Sequence, residues 1–114
     1  MQTKYSQRFL KEAKNLRKKY RKIDEDILKI VNSIEKDKFT AIDRVKGFEH
    51  LSIFKVRIKN SSSLAGKSGG FRIIYYAEVD KKLLYFLTIY SKSEKSDISK
   101  NEILKILKDE NLAK

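Results

Sequence analysis

The sequence contains no cysteine, no proline, a single histidine and four glycines in 114 residues. Without cysteine there is no disulfide framework, no thiolate nucleophile and no Cys-based zinc site. One histidine argues against a His-rich metal site, and no metal or cofactor is expected. The lack of proline and the scarcity of glycine exclude a linker, a collagen-like segment and a low-complexity tail. No apolar run reaches the ~18 residues of a membrane span, so no membrane is expected among the partners. The opening MQTKYSQRFLKEAK breaks into charge without an apolar signal core, so a cytoplasmic protein is expected. The length suits one domain over 1–114, able to bury roughly 65% of its unfolded surface.

What is abundant is positive charge. There are 27 Lys and Arg against 15 Asp and Glu, a net +12. The excess is +8 in residues 1–57 (16 cationic, 8 acidic) and +4 in 58–114 (11 and 7), so it belongs to the body of the domain. Such a field attracts polyanions, nucleic acid first. An acidic protein partner would exploit the same field, and a solubilising lysine coat is the plainer alternative.

The hydrophobic pattern begins with a helical period. Tyr5, Phe9, Ala13, Leu16 and Tyr20 form one stripe, and Ile23, Ile27, Ile30, Val31 and Ile34 form a second. Asp24 is placed to cap the second helix, and the pair predicts an antiparallel helical hairpin over about 5–36. After a turn region at 37–47 the period becomes two, predicting a sheet over about 50–92. Lys55 and Arg57 share one strand face with Ile53, opposite Phe54, Val56 and Ile58. Residues 60–70 (NSSSLAGKSGG) read as a flexible basic loop around Lys67. FRIIYYAEVD and LLYFLTIYS read as two strands turning at Asp80-Lys81. Arg72 shares a face with Ile74 and Tyr76, and strict alternation groups Leu84, Phe86, Thr88, Tyr90 and Lys92. Ser99-Lys100-Asn101-Glu102 is a capping box opening a last helix over about 99–112. The order is helix, helix, three strands, helix, with room for a short strand before residue 6: an α+β domain.

If the hairpin covers one sheet face, the other gathers Lys55, Arg57, Arg72, Tyr90 and Lys92, a cationic and partly aromatic cluster on a rigid support. Arginine offers phosphate a planar fork of donors, and lysine a compact charge. The ordinary alternative is a solvated basic face with Tyr90 at the core's rim. His50, just before a strand and without a carboxylate in register, reads as a surface or loop-packing residue. Glu94 and Asp97 could each pair with a lysine, cap the last helix or accept a proton, the first two being favoured. GKSGG lacks the spacing of a phosphate-binding P-loop and opens no helix.

A Lys-rich helical hairpin followed by FKVRIKNSSSLAGKSGGFRIIYYAEVDKKLLYFLTIYSKSEKSDIS resembles the RelE/ParE superfamily of bacterial type II toxins. The similarity is greatest to its HigB-like and RelE-like branch. It spans nearly the whole chain, and residues 55–97 carry its specific part: a K-x-R strand, a GK-x-GG-x-R-I-I-Y-Y strand and a closing L-x-x-I-Y-x-K-x-E. The resemblance implies a twisted antiparallel sheet with the helical hairpin on one face and a C-terminal helix. It implies an endoribonuclease that cuts mRNA in the A site of the 30S ribosomal subunit and is restrained by a cognate antitoxin protein. Lys55 and Arg57 match the phosphate-holding strand, and Arg72 matches the arginine that stabilises the scissile phosphate. Tyr90 and Lys92 match the closing-strand catalytic positions. Glu94 is a looser match as acid or base, and Lys67 and Lys95 add cations toward the RNA. The implied reaction is metal-independent attack of a ribose 2′-hydroxyl on phosphorus. Some members carry a histidine where Lys92 stands, which leaves general base and acid unassigned here. Two other readings share the fold: a ParE-like inhibitor of DNA gyrase, and an inactive member that only binds.

Overall fold

The computed structural model describes residues 2–36, 42–48, 51–62, 70–78 and 81–112. Lys67, His50 and Asp80 lie outside them. The elements run β1 (Gln2–Tyr5), α1 (Gln7–Arg17), α2 (Ile23–Glu35), β2 (Ile42–Arg44), β3 (Ser52–Ile58), β4 (Phe71–Glu78), β5 (Leu83–Ser91) and α3 (Lys100–Asp109). The strands form one sheet in the order β1-β5-β4-β3-β2. The α+β class stands. The sheet is mixed, however, because β1 runs parallel to β5 while every other pairing is antiparallel. It also starts earlier than the periodicity indicates. Three residues of the expected turn region, Ile42–Arg44, pair with Phe54–Val56 as an edge strand too short to show a period.

Both apolar stripes of the hairpin are buried on one sheet face. Phe9, Ala13, Ile23, Ile27, Val31 and Ile34 pack against Val56, Ile58, Phe71, Ile73, Tyr75, Leu84, Phe86 and Ile89. A row of rings crosses four strands there. Phe54–Tyr75, Tyr75–Phe86 and Phe86–Tyr5 centroids are 5.3, 5.4 and 5.5 Å apart. The opposite face is covered by α3, whose Ile103, Ile106 and Leu107 pack with Ile53, Ile74, Tyr76, Leu87 and Phe48.

Local chemistry fixes the helix starts. Ser6 caps α1, its Oγ accepting the Phe9 N–H at 2.9 Å while donating to the Leu87 carbonyl at 2.6 Å. Ser99 accepts the Glu102 N–H at 3.1 Å, as the capping-box pattern requires. Asp24 does not cap α2. The helix begins at Ile23, so Asp24 already lies inside the first turn, where the Arg17 guanidinium takes both its oxygens at 2.7 and 3.0 Å. Ser62, from the turn after β3, accepts the Lys22 N–H at 2.9 Å instead.

One irregularity governs the side-chain faces. Along β4–β5 the partner of Ile74 is Thr88 but that of Tyr75 is Phe86, so Leu87 is an extra residue, a β-bulge. Strict alternation therefore fails at this point. Leu84 and Phe86 join the hairpin core, while Leu87 and Tyr90 belong to the α3 side.

Candidate phosphate-binding site

The register sets Arg57 opposite Arg72, and Arg72 opposite Tyr90, one row across β3, β4 and β5. Directly opposed partners share a face some 4.5–5.5 Å apart. Lys55 lies two residues from Arg57 and so projects to the same side. Arg72 is only 8% exposed, yet sits beside a second guanidinium. Its Nη1 donates to the Phe71 carbonyl at 3.3 Å. Burial first, then the Arg57 charge, pulls Arg72 below the ordinary arginine value, with the ionisable Tyr90 hydroxyl opposing. Arginine starts so far above neutrality that the group stays cationic. Like charges directly opposite on a sheet are unfavourable, and an anion between them would reverse the sign of that interaction.

Tyr90 is buried, and its hydroxyl donates to Asp97 Oδ1 at 3.4 Å. Burial, then the Asp97 carboxylate, pushes the phenol up to about 12, so it is a protonated donor at neutral pH. Asp97 also pairs with Lys55 at 3.5 Å. The Ile98 backbone N–H, then Lys55 and the Tyr90 hydroxyl, hold Asp97 below its usual value against the opposing pull of burial. Lys95 stands 6.0 Å from the centroid of the Tyr90 ring and donates to Glu102 on α3. Glu102 also accepts from Arg8 of α1 at 3.1 Å. Lys95, then Arg8, pulls Glu102 down to about 2.

Five of the expected site residues thus gather on the α3 side of the sheet: Lys55, Arg57, Arg72, Tyr90 and Lys95. Two stand apart. Lys92 follows the end of β5, and its ammonium donates to the Ser96 carbonyl within the 91–97 turn. Glu94 pairs at 3.1 Å with Lys19 beside the α1–α2 turn, one of the lysine pairings open to it in the sequence.

Sequence reasoning missed Glu12. Beyond Phe86, β5 has outrun β1, and α1 lies along it. There Glu12 Oε1 accepts the Thr88 hydroxyl at 2.6 Å and the Ile89 N–H at 3.2 Å, while Oε2 takes Arg8 Nε at 3.3 Å. The signal that could have found it is a lone carboxylate beside the apolar stripe of an otherwise basic helix.

Among the described residues no group of three or more His, Asp or Glu side chains is placed to hold a metal ion. No described helix is long and apolar enough to cross a membrane. A scan against protein-family models gives no match for this chain.

Proposed function

We propose that this protein is the toxin of a type II toxin–antitoxin pair, a ribosome-dependent mRNA endonuclease of the RelE/ParE superfamily acting in the cytoplasm. The observation that carries the reading is the Arg57–Arg72–Tyr90 row, with Lys55 and Lys95 beside it. Its cations are fixed on a rigid sheet, and one of them is nearly buried. Positioned donors of this kind favour a reaction in which negative charge builds on a phosphate.

In the proposed reaction, mRNA in the ribosomal A site presents a ribose 2′-oxygen to the neighbouring phosphorus. The P–O2′ bond forms as the 2′-proton passes to solvent water, the P–O5′ bond breaks, the departing 5′-oxygen takes a proton from solvent, and a cyclic 2′,3′-phosphate and a 5′-hydroxyl result. Arg72 and Arg57 stabilise the five-coordinate phosphorane, and Lys55 and Lys95 hold the strand. The Tyr90 hydroxyl donates toward the phosphate or the leaving 5′-oxygen, and Asp97 orients it. A phenol at about 12 is unsuited to accept the 2′-proton at neutral pH, so charge stabilisation and alignment by the ribosome carry most of the acceleration. The same field suits an antitoxin with an acidic or amphipathic segment, whose association rate would then fall with salt.

The test is cleavage of mRNA on programmed ribosomes with new ends mapped by primer extension, comparing wild type with Arg72→Ala. A-site cuts by wild type alone support the reading. Intact folding without cuts overturns it, and a parallel gyrase supercoiling assay separates a topoisomerase inhibitor from a binding-only protein.

A further inference from the structure

On the hairpin side of the sheet, round the end of β3 from the row, lies a cavity of about 310 Å³ between α2 and β3, near the lower bound of small-ligand sites. Arg57 lines it, together with Lys29 of α2 and Lys59 just past β3. These three cations have no carboxylate partner among the described residues, whereas Lys55, Lys95, Arg8, Arg17 and Lys19 all do. The cavity's other polar groups are already engaged. Asp26 accepts both the Ser61 N–H and the Ser61 hydroxyl, and the Ser33 hydroxyl donates to the Lys29 carbonyl. The donors open to a ligand are therefore cationic, over a floor formed by Ile30 and Ile58. Between Lys59 and Ser61, Asn60 is 4% exposed, and its Nδ2 has no acceptor among the described residues.

We infer that this cavity is a second phosphate subsite, holding the backbone of the nucleotide next to the one at the Arg57–Arg72–Tyr90 row, with Arg57 shared between them. The inference rests on the proposed RNA-cleaving role of that row and extends it. A polymer with one phosphate per unit suits such a pair of subsites, because seating one phosphate raises the effective concentration of the next. Ribose and base then cover the apolar floor while the phosphate meets Lys29 and Lys59. The mRNA path consequently leaves the sheet face over the end of β3 and turns toward α2.

The experiment uses the full chain and a short fluorescent single-stranded oligoribonucleotide, made uncleavable by a 2′-deoxy sugar at one position. A matched set carries one neutral methylphosphonate at a time. Lys29→Gln/Lys59→Gln is compared with Lys105→Gln/Lys108→Gln on the exposed side of α3, which removes the same charge elsewhere. The cavity pair is expected to weaken binding about tenfold, and to lower the salt slope by about 1.4, the counterion release of two contacts on a single strand. The α3 pair should change the affinity less than about twofold. Neutralising one particular phosphate should weaken binding to wild type and leave Lys29→Gln/Lys59→Gln unaffected. In the ribosome assay KM should rise with kcat unchanged, and Lys29→Arg/Lys59→Arg should restore it. Equal losses from both pairs, or a loss insensitive to phosphate position, overturns the subsite even when Arg72-dependent cleavage is intact. Position-specific coupling without any cleavage supports the subsite and overturns the catalytic role of the row.

Discussion

Two rows of side chains cross β3, β4 and β5 on opposite faces, one built of aromatic rings and the other around two guanidinium groups. Phe54, Tyr75, Phe86 and Tyr5 form an aromatic row under the helical hairpin, buried at Tyr75 and Phe86 and half-buried at its two ends. Arg57, Arg72 and Tyr90 form a cationic row on the side of α3. On β3 and β4 the rows are three residues apart (54 to 57, 75 to 72), an odd step that switches faces. On β5 they are four apart (86 to 90), and only the extra residue at Leu87 lets both rows exist. The bulge is thus what sets the closing tyrosine beside Arg72 instead of inside the hairpin core.

The faces also differ in how much helix covers them. Two helices of 11 and 13 residues cover the aromatic face. A single helix of 10 residues, about 15 Å long, lies on the other, where β5 alone extends about 30 Å. The cations stand toward the strand ends beyond that helix, Arg57 exposed and Arg72 almost buried. A sheet wider than its helical cover supplies rigid positions on which charged side chains can be held.

Substitutions can break or sharpen this contrast. The largest loss of stability belongs to the aromatic row. Phe86→Ala, at a position with no exposure, should cost about 3–5 kcal/mol in urea unfolding, and Phe9→Ala or Ile27→Ala about 2–5. Arg72→Ala should lower cleavage about 10²–10³-fold while shifting the unfolding midpoint far less, as expected for a donor held against its own interest. An unfolding shift as large as that of Phe86→Ala would make Arg72 structural and remove it from the site. Glu12→Ala leaves the Thr88 hydroxyl and the Ile89 N–H without their acceptor and should cost about 1–3 kcal/mol. Arg57→Gln removes a like charge opposite Arg72 and should stabilise the fold by about 0.2–1 kcal/mol while weakening phosphate binding. The smallest effect is a pH dependence. Glu102 sits at about 2 in the fold against 4.5 ordinarily, so its contribution is complete above about 4.5 and lost as pH falls toward 2. Wild type and Glu102→Gln should therefore converge in stability over that acidic window.

Much of this contrast was legible in the sequence. The two helical stripes from Tyr5 to Ile34 set the hairpin, and alternation around Lys55 and Arg57 set their strand face, because both signals are local. The Ser99–Glu102 box marked the start of α3 for the same reason. Strict alternation placed Tyr90 with Leu84 and Phe86, because a bulge leaves no mark on a chain whose residues on either side of it are all apolar or β-branched. It placed Lys92 on the strand too, and the Lys92 N–H does extend the pairing, bonding to the Gly70 carbonyl at 3.0 Å one residue past the end of β5. Glu12 and the β1–β5 pairing depend on contacts between opposite ends of the chain, where periodicity has no reach. The cavity at Lys29 and Lys59 joins a helix to a strand end for which the sequence offers no register.

The bond from Ser6 to Leu87 spans 81 positions, and it has a consequence for the order of events during synthesis. Among the described residues Gln2–Tyr5 pairs only with Leu83–Phe86, so the first strand waits for the last before it can join the sheet. Such distant pairing slows folding, because the chain must close a long loop before the contact repays it. The first helix gains its cap from Ser6 early, but the edge it will cover arrives only after most of the chain has been made. A nascent chain stopped before β5 therefore lacks Tyr90 and Phe86 together, and Tyr5 lacks the ring it stacks on, so hydrophobic closure and assembly of the cationic row are completed by the same late strand.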